Sequence, residues 1–144
     1  MLKILVVEDD PLHRDVLTRR LRWEGYEVVT TADGAQAVFL AHGQQPDLIL
    51  MDVGLPGMDG WDATQIIKRD ASTRHIPIII VTAYALPAER RIARQAGCDA
   101  FVAKPIVFAE LFSAIQDCLA NAAKDGRRPR ADDNDASARI GIRL

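Results

Sequence analysis

The chain has 144 residues and a formal net charge of −2, with 49% hydrophobic and 26% charged residues. These values are ordinary for a single globular domain and give no sign of the basic surface that nucleic-acid binding requires. No apolar stretch approaches the ~20 residues that a membrane helix needs. The chain begins directly with strand-like sequence where a signal peptide would stand. We therefore expect a cytoplasmic protein without a membrane segment and without direct DNA binding.

Five short apolar runs alternate with helical patterns along the first part of the chain. They predict the strands Leu2–Val7, Tyr26–Thr30, Asp47–Met51, Ile76–Val81 and Ala100–Ala103. Short apolar runs bounded by turn residues are typical of buried parallel strands. The first, third and fourth runs are the most apolar, so their strands are expected in the middle of the sheet. The mixed polarity of the second run suits an edge strand.

The segments between these runs predict five helices, at about 11–23, 34–43, 60–70, 87–97 and 108–120. Asp10 and Asp59 are suitable N-caps for the first and third helices. The N-cap of the fourth helix is Leu86 or Ala85 and that of the fifth is Val107, and none of these side chains can cap. Five strand–helix repeats with right-handed crossovers predict an α/β fold with a doubly wound, five-stranded parallel sheet in the order 2-1-3-4-5.

The composition changes after Ala120. Residues 121–144 carry six basic and four acidic side chains, which gives this segment a net charge of +2 and leaves −4 for residues 1–120. The segment is rich in Arg, Asp, Gly and Ala and can bury little apolar surface. We therefore expect one folded domain over 1–120, followed at 121–144 by a flexible charged C-terminal tail that is not an output domain.

Polar groups suited to phosphoryl chemistry follow four of the predicted strands. Glu8 and Asp9 follow the first strand. Asp52, Thr82 and Lys104 follow the third, fourth and fifth. Because the carboxyl ends of parallel strands share one edge of the sheet, these groups should gather there. The carboxylates suit Mg²⁺, Asp52 can act as a nucleophile, and a hydroxyl and an ammonium group can bind phosphoryl oxygens.

The combined pattern resembles the receiver domain of response regulators in two-component signalling. The matching residues are Glu8-Asp9, Asp52 within MDVGLPGMDG, Thr82-Ala83 and Lys104-Pro105. Counted from Asp9, successive members of this set are 43, 30 and 22 residues apart, as in the family. The resemblance covers about residues 1–120 and implies the flavodoxin-like (βα)5 fold of a stand-alone, chemotaxis-type receiver.

The resemblance implies a role for each acidic residue of the pattern. Asp52 would be the phospho-acceptor. Mg²⁺ would be ligated by the side chains of Asp9 and Asp52, by Glu8 through water, and by the backbone carbonyl of Gly54. Because position 54 is glycine, no side chain there could orient or block a water molecule that attacks the acyl phosphate.

The resemblance also implies a conformational switch. Thr82 and Lys104 would bind the phosphoryl oxygens, and the peptide bond between Lys104 and Pro105 is expected to be cis. Thr82 would move toward the phosphate and Phe101 would turn inward, which would change the partner affinity of helix 4, strand 5 and helix 5. Tyr84 could shield the acyl phosphate. Its effect on the lifetime of the acyl phosphate would be opposite to that of the glycine at position 54.

The implied function is a phosphorylation-controlled signalling switch and not an enzyme acting on a separate substrate, although the domain would promote its own phosphorylation and dephosphorylation. Its phosphoryl donor would be a histidine kinase or a histidine phosphotransfer protein. The expected contacts with that donor are Pro105, Ile106 and three residues of the first helix, Leu12, His13 and Val16. A downstream protein target would receive the signal, and the domain would be a monomer or a weak homodimer.

Three other interpretations compete with this one. A phosphatase of the haloacid-dehalogenase type would need a DxD motif at its nucleophile, whereas Asp52 is followed by Val53 and Gly54. A degenerate receiver used only for protein interaction is disfavoured because every chemical residue of the pattern is present. A fragment of a larger regulator or hybrid kinase is a further alternative, against which the start at Met1 and the polar tail argue.

Overall fold

Five strands and five helices alternate along the chain in the computed structural model, which describes residues 1–83 and 86–125. The strands are β1 (Lys3–Val7), β2 (Glu27–Thr31), β3 (Leu48–Asp52), β4 (Ile78–Thr82) and β5 (Ala100–Ala103). The helices are α1 (Pro11–Trp23), α2 (Gly34–Gln44), α3 (Gly60–Arg69), α4 (Pro87–Ala96) and α5 (Phe108–Lys124). All neighbouring strands are parallel and the sheet order is β2-β1-β3-β4-β5, which confirms the predicted topology.

The sheet separates two layers of helices and has a hydrophobic cluster on each face. Helices α1 and α5 cover one face, where Leu21 and Ile115 pack with Leu50 of β3. Helices α2, α3 and α4 cover the other, where Ile67 packs with Ile49. Consecutive residues of β3 thus face opposite layers, as the two-residue repeat of a strand requires. Burial of both faces explains why the central strands are continuous apolar runs. Across the described ranges, no helix combines the length and apolar composition needed to cross a membrane.

The predicted strand limits are wrong by one or two residues at β1 to β4, because backbone pairing and not side-chain polarity defines a strand. The Ile76 N–H donates to the carbonyl of Thr73 in a turn, and Pro77 has no N–H, so β4 begins only at Ile78. Strands β2, β3 and β4 also end one residue later than predicted. Asp52 and Thr82 are consequently the last residues of their strands, where the sheet fixes their backbones.

Aspartate side chains cap the first three helices. Asp10, Asp33 and Asp59 each accept a hydrogen bond from a backbone N–H in the first helical turn, at 2.7–2.9 Å. Leu86 and Val107 make no side-chain cap hydrogen bond, as predicted for α4 and α5. The first turns of α4 and α5, which flank β5, therefore lack the stabilisation that the other three helices receive.

Helix α5 extends four residues past its predicted end at Ala120. The added turn contains Ala122 and Ala123, which are strong helix formers, and Ala122 is buried. The predicted boundary between domain and tail therefore falls inside a helix that continues to Lys124. Residues 126–144, the remainder of the predicted tail, lie outside the described residues.

Candidate functional site

Polar residues from four strands meet at the carboxyl edge of the sheet. Glu8 follows β1, Asp52 ends β3, Thr82 ends β4 and Lys104 follows β5. The sheet hydrogen bonds continue up to these positions. The Glu8 N–H donates to the carbonyl of Thr31, and the Lys104 N–H donates to the carbonyl of Thr82 at 2.8 Å. The backbone of each residue is thus held by its neighbouring strand, as the parallel arrangement predicts.

Three carboxylates form an acidic cluster at this edge. One oxygen from each of Glu8, Asp9 and Asp52 lies within 4.8 Å of the others. Glu8 and Asp52 are 3% and 8% exposed, whereas Asp9 faces solvent. Across residues 1–83 and 86–125, it is the one group of three or more His, Cys, Asp or Glu side chains arranged closely enough to hold a metal. Carboxylate oxygens with a solvent-facing side suit Mg²⁺, which keeps several of its waters.

Lys104 contacts two of the three carboxylates. Its Nζ lies 3.1 Å from Oε1 of Glu8 and 3.5 Å from Oδ1 of Asp52. Burial lowers the pKa of Lys104, but the negative charge of Asp52 and the hydrogen bond to Glu8 outweigh burial and raise the pKa above its ordinary value. The raised pKa favours the protonated, positively charged form of the side chain beside Asp52. The peptide bond between Lys104 and Pro105 is cis.

Glu8 lies where a carboxylate is costly to ionise. Burial raises the pKa of Glu8, the backbone N–H of Asp10 lowers it through a hydrogen bond of 3.2 Å, and the charge of Asp52 raises it. The pKa of Glu8 lies above its ordinary value as a result. A divalent cation in the cluster would reverse this effect, because it stabilises the ionised form of every carboxylate around it. The residues therefore fit a divalent cation.

Helix α1 holds the acidic segment from one side. The Nη1 of Arg14 donates to the carbonyl of Glu8 at 2.9 Å and lies 3.5 Å from the carbonyl oxygen of Asp9. The Nδ1 of His13 lies 3.9 Å from Oε1 of Glu8 and 3.7 Å from Oδ2 of Asp10. Sequence reasoning missed Arg14, because no local pattern shows that its side chain reaches back six residues along the chain.

Two glycines contact the site, one in the loop after Asp52 (residues 53–59) and one directly after that loop. The Gly54 N–H donates to Oδ1 of Asp52 at 3.4 Å, and a Cβ added at Gly54 would meet no atom within 4 Å. Gly60, the first residue of α3, is different. Its N–H donates to the carbonyl of Val53, and an added Cβ would overlap the carbonyl oxygen of Asp52. The start of α3 therefore packs directly on the backbone that carries the Asp52 side chain.

Gly34, the first residue of α2, lies against the other end of the same loop. An added Cβ there would overlap the carbonyl oxygen of Met58 and lie 3.2 Å from its carbonyl carbon. Gly34 and Gly60 each follow an N-cap aspartate, which is the signal that the sequence provides. That signal predicts a helix start but not a close approach of two backbones.

The proposed switch residues lie in β4, in β5 and in the segment that follows β4. Thr82 is fully buried at the end of β4. Phe101 is half-buried in the neighbouring strand β5, and the guanidinium carbon of Arg90 lies 4.9 Å from the centroid of its ring. Tyr84, the third predicted switch residue, lies outside the described residues. Thr82 and Phe101 are thus on adjacent strands, as the predicted sheet order requires.

A largely apolar cavity of about 430 Å³ adjoins the acidic cluster on the side of α1. Its walls include His13 and Val16 of α1 together with Pro105 and Ile106. Four of the five residues predicted to contact a phosphoryl donor therefore lie together. The fifth, Leu12, is 69% exposed on the same helix.

The chain is similar to known receiver domains over most of its length. The family model described as response regulator receiver domain matches residues 4–116. The polar-differentiation response regulator DivK of Brucella anthropi is 38% identical over 119 residues, which make up 83% of this chain and 97% of that protein.

Solved structures show the same similarity. The receiver domain of a sensor histidine kinase from Pseudomonas aeruginosa PAO1, which has a magnesium ion coordinated in its active site cleft, is 43% identical with a TM-score of 0.77. The match covers 82% of this chain and 97% of that domain. A chemotaxis protein of Vibrio cholerae is 28% identical with a TM-score of 0.78, over 82% of this chain and 98% of that one. Because the family match runs from the first strand into the last helix, the chain belongs to the response regulator receiver domains, the signalling domains of two-component systems.

Proposed function

We propose that this receiver domain is a phosphorylation-controlled switch whose phospho-acceptor is Asp52. The position of the Asp52 carboxylate carries the proposal. It lies within 4.8 Å of the carboxylates of Glu8 and Asp9 and 3.5 Å from the ammonium nitrogen of Lys104. A carboxylate so placed is suited to attack a phosphoryl group, because positioning and electrostatics supply most of the catalysis in phosphoryl transfer.

The proposed donor is a phosphohistidine on a histidine kinase or a histidine phosphotransfer protein. An oxygen of Asp52 forms a bond to phosphorus while the bond between phosphorus and the imidazole nitrogen breaks, and the electron pair of that bond stays on the imidazole. Lys104 and Thr82 then bind oxygens of the transferred group, the first by its charge and the second by a hydroxyl hydrogen bond. Because Lys104 is already protonated, no proton has to reach it during the transfer.

The proposed cofactor is Mg²⁺, held by Asp9 and Asp52, by Glu8 through water, and by the carbonyl of Gly54. When bound, Mg²⁺ offsets the repulsion between an anionic carboxylate and an anionic phosphoryl group. The spacing of the three carboxylates supports this proposal. So does the magnesium ion that the 43% identical receiver domain from Pseudomonas aeruginosa coordinates in its cleft.

We place the donor over the apolar cavity between α1 and the segment after β5. This surface adjoins the acidic cluster and Lys104, so a phosphohistidine on a partner seated there can reach Asp52. Leu12 and Val16 expose apolar surface on α1 beside it. An exposed apolar patch with a polar rim is typical of a protein interaction site.

The proposed output surface consists of α4, β5 and α5. Movement of the buried Thr82 toward a phosphoryl group on Asp52 leaves space that the Phe101 ring of the neighbouring strand can fill. Both helices of this surface begin without a side-chain cap, so their first turns are the parts most easily displaced. The proposal includes a cytoplasmic location, a monomer or weak homodimer, and dephosphorylation promoted by the same site.

Intact mass spectrometry after incubation with Mg²⁺ and acetyl phosphate tests the proposal. Wild-type protein should gain one phosphoryl group and lose this gain in EDTA, whereas Asp52→Asn should gain none. Asp15→Asn, the same substitution at an exposed aspartate of α1, is the matched control and should behave as wild type. Equal phosphorylation of Asp52→Asn, or none of wild type, would refute the assignment.

A further inference from the structure

Helix α4 forms one wall of a basic groove beside Phe101. Arg90 and Arg94 are exposed and lie one helical turn apart on α4. Together with Phe101 and Ala100 of β5 they line a cavity of about 180 Å³, which we call the α4–β5 groove. Leu86, which is 65% exposed, precedes Arg90 by four residues and so continues the same side of the helix.

Arg90 covers the aromatic ring of Phe101. Its guanidinium carbon lies 4.9 Å from the ring centroid, within the range of a cation–π interaction. The favourable position of the guanidinium therefore depends on where the ring lies. A ring that turns into the core withdraws its π-face from the groove, and the guanidinium then loses this contact with the ring.

We infer that the partner which recognises the phosphorylated domain binds the α4–β5 groove through acidic side chains, and that the position of Phe101 controls access of that partner to Arg90. The inference rests on the proposed function, because phosphorylation of Asp52 is the event that turns Phe101 inward. In the unphosphorylated domain Arg90 stacks on the ring. After the ring moves, the guanidinium can bind a partner carboxylate through two parallel hydrogen bonds.

The charge of the groove favours an acidic partner over a basic one. Helix α4 contains three arginines and a single acidic residue, Glu89. Strand β5 has no charged side chain. Asp99 also lines the cavity, but its carboxylate accepts from Nζ of Lys68 and from the N–H of Ile78, both at 2.8 Å. The negative charge of Asp99 is therefore offset by the ammonium group of Lys68.

Fluorescence anisotropy with a labelled amphipathic peptide of glutamate and leucine tests the inference. A matched peptide with lysine in place of every glutamate is the control for charge. Wild-type protein, phosphorylated with acetyl phosphate and checked by intact mass, should bind the acidic peptide about five-fold more tightly than unphosphorylated protein, or better, and should not bind the basic one. Arg90→Gln should remove this gain. Arg91→Gln removes the same charge from the same helix outside the groove and should retain most of it.

A variant of Phe101 separates the groove from the phosphorylation step. Phe101→Leu removes the aromatic ring, so the unphosphorylated variant should bind the acidic peptide nearly as tightly as phosphorylated wild type. Phe101→Tyr keeps the ring and should bind as unphosphorylated wild type does. If phosphorylated wild type gains no affinity, or if Arg90→Gln and Arg91→Gln lose it equally, the inference is wrong while Asp52 remains the acceptor. If wild type takes up no phosphate, the proposed function fails and the inference fails with it.

Discussion

Replacing Gly60 with alanine should disturb Asp52 without changing its side chain. A Cβ at Gly60 would overlap the carbonyl oxygen of Asp52, lie 2.7 Å from Cα of Val53 and lie 2.9 Å from the carbonyl carbon of Asp52. All three atoms belong to the backbone, so no side-chain rotation can relieve the contact. Either the start of α3 or the end of β3 must move.

Two opposing terms set the size of the effect. Overpacking of this kind costs about 1–3 kcal/mol. Alanine in place of glycine in a helix returns up to about 1 kcal/mol, and less in the first turn. We therefore expect Gly60→Ala to lower the free energy of unfolding by about 1–2 kcal/mol. Gly43→Ala is the matched control, because Gly43 lies in α2 with no atom within 4 Å of its added Cβ, and this variant should be slightly more stable than wild type.

Urea unfolding followed by circular dichroism measures both variants, with the slope of the transition checked for two-state behaviour. The initial rate of phosphorylation by acetyl phosphate should also fall in Gly60→Ala, because the displaced backbone carries the Asp52 carboxylate. It should be unchanged in Gly43→Ala. If Gly60→Ala unfolds at the same urea concentration as Gly43→Ala and is phosphorylated at the wild-type rate, the close approach of α3 to β3 is not present in solution.

Three further predictions follow from buried or capping groups. Among the described residues the buried hydroxyl of Thr64 has no hydrogen-bond partner, so Thr64→Val should raise the free energy of unfolding by about 1 kcal/mol, and a loss of stability in urea would instead reveal a bond. Burial and the charge of Asp99 raise the pKa of the Cys98 thiol to about 11, so at pH 9.0 iodoacetamide should modify it roughly 50-fold more slowly in folded than in unfolded protein, as followed by peptide mapping. Because the fold favours the protonated thiol, its contribution to stability is complete below pH 9.0 and is lost as the pH rises toward 11. Hydrogen bonds from the backbone N–H groups of His13 and Leu12 lower the pKa of Asp10. The stability that the ionised Asp10 carboxylate contributes is therefore present above pH 3.8 and is lost as the pH falls through the lowered pKa. Asp10→Asn keeps a capping side chain that does not titrate, so it should lose less stability in acid than wild type does. If the urea midpoints of the two proteins fall equally with pH, Asp10 does not contribute this pH dependence.

The topology and the acidic site could be predicted because their determinants are local in the sequence. Each strand is a short apolar run, and the N-cap aspartates at 10 and 59 mark helix starts at the predicted residues. Parallel order then brings Asp52, Thr82 and Lys104 to one edge, since every carboxyl end of a parallel sheet points the same way.

The remaining features depend on contacts between distant parts of the chain. The end of α5 depends on Ala122 packing against the core. The start of β4 depends on a turn that ties Ile76 to Thr73, although its apolar run begins earlier. The contact of Arg90 with Phe101 joins α4 to β5 through side chains whose types alone predict only an exposed cation and a core aromatic. Such contacts need the assembled fold, because no spacing rule of a helix or strand encodes them.

The glycines at the starts of α2 and α3 limit how the loop 53–59 can vary. Surface connections containing glycine and proline ordinarily accept insertions and exchange between homologues. Gly34 lies against the backbone of Met58 near the end of this loop, and Gly60 lies against the backbone of Asp52 and Val53, where the loop begins. An insertion beside either contact must therefore displace the first turn of α2 or of α3. The smallest unit that can be grafted into another scaffold is the loop together with the first turns of α2 and α3, so engineering around Asp52 has to treat three separate stretches of sequence as one part.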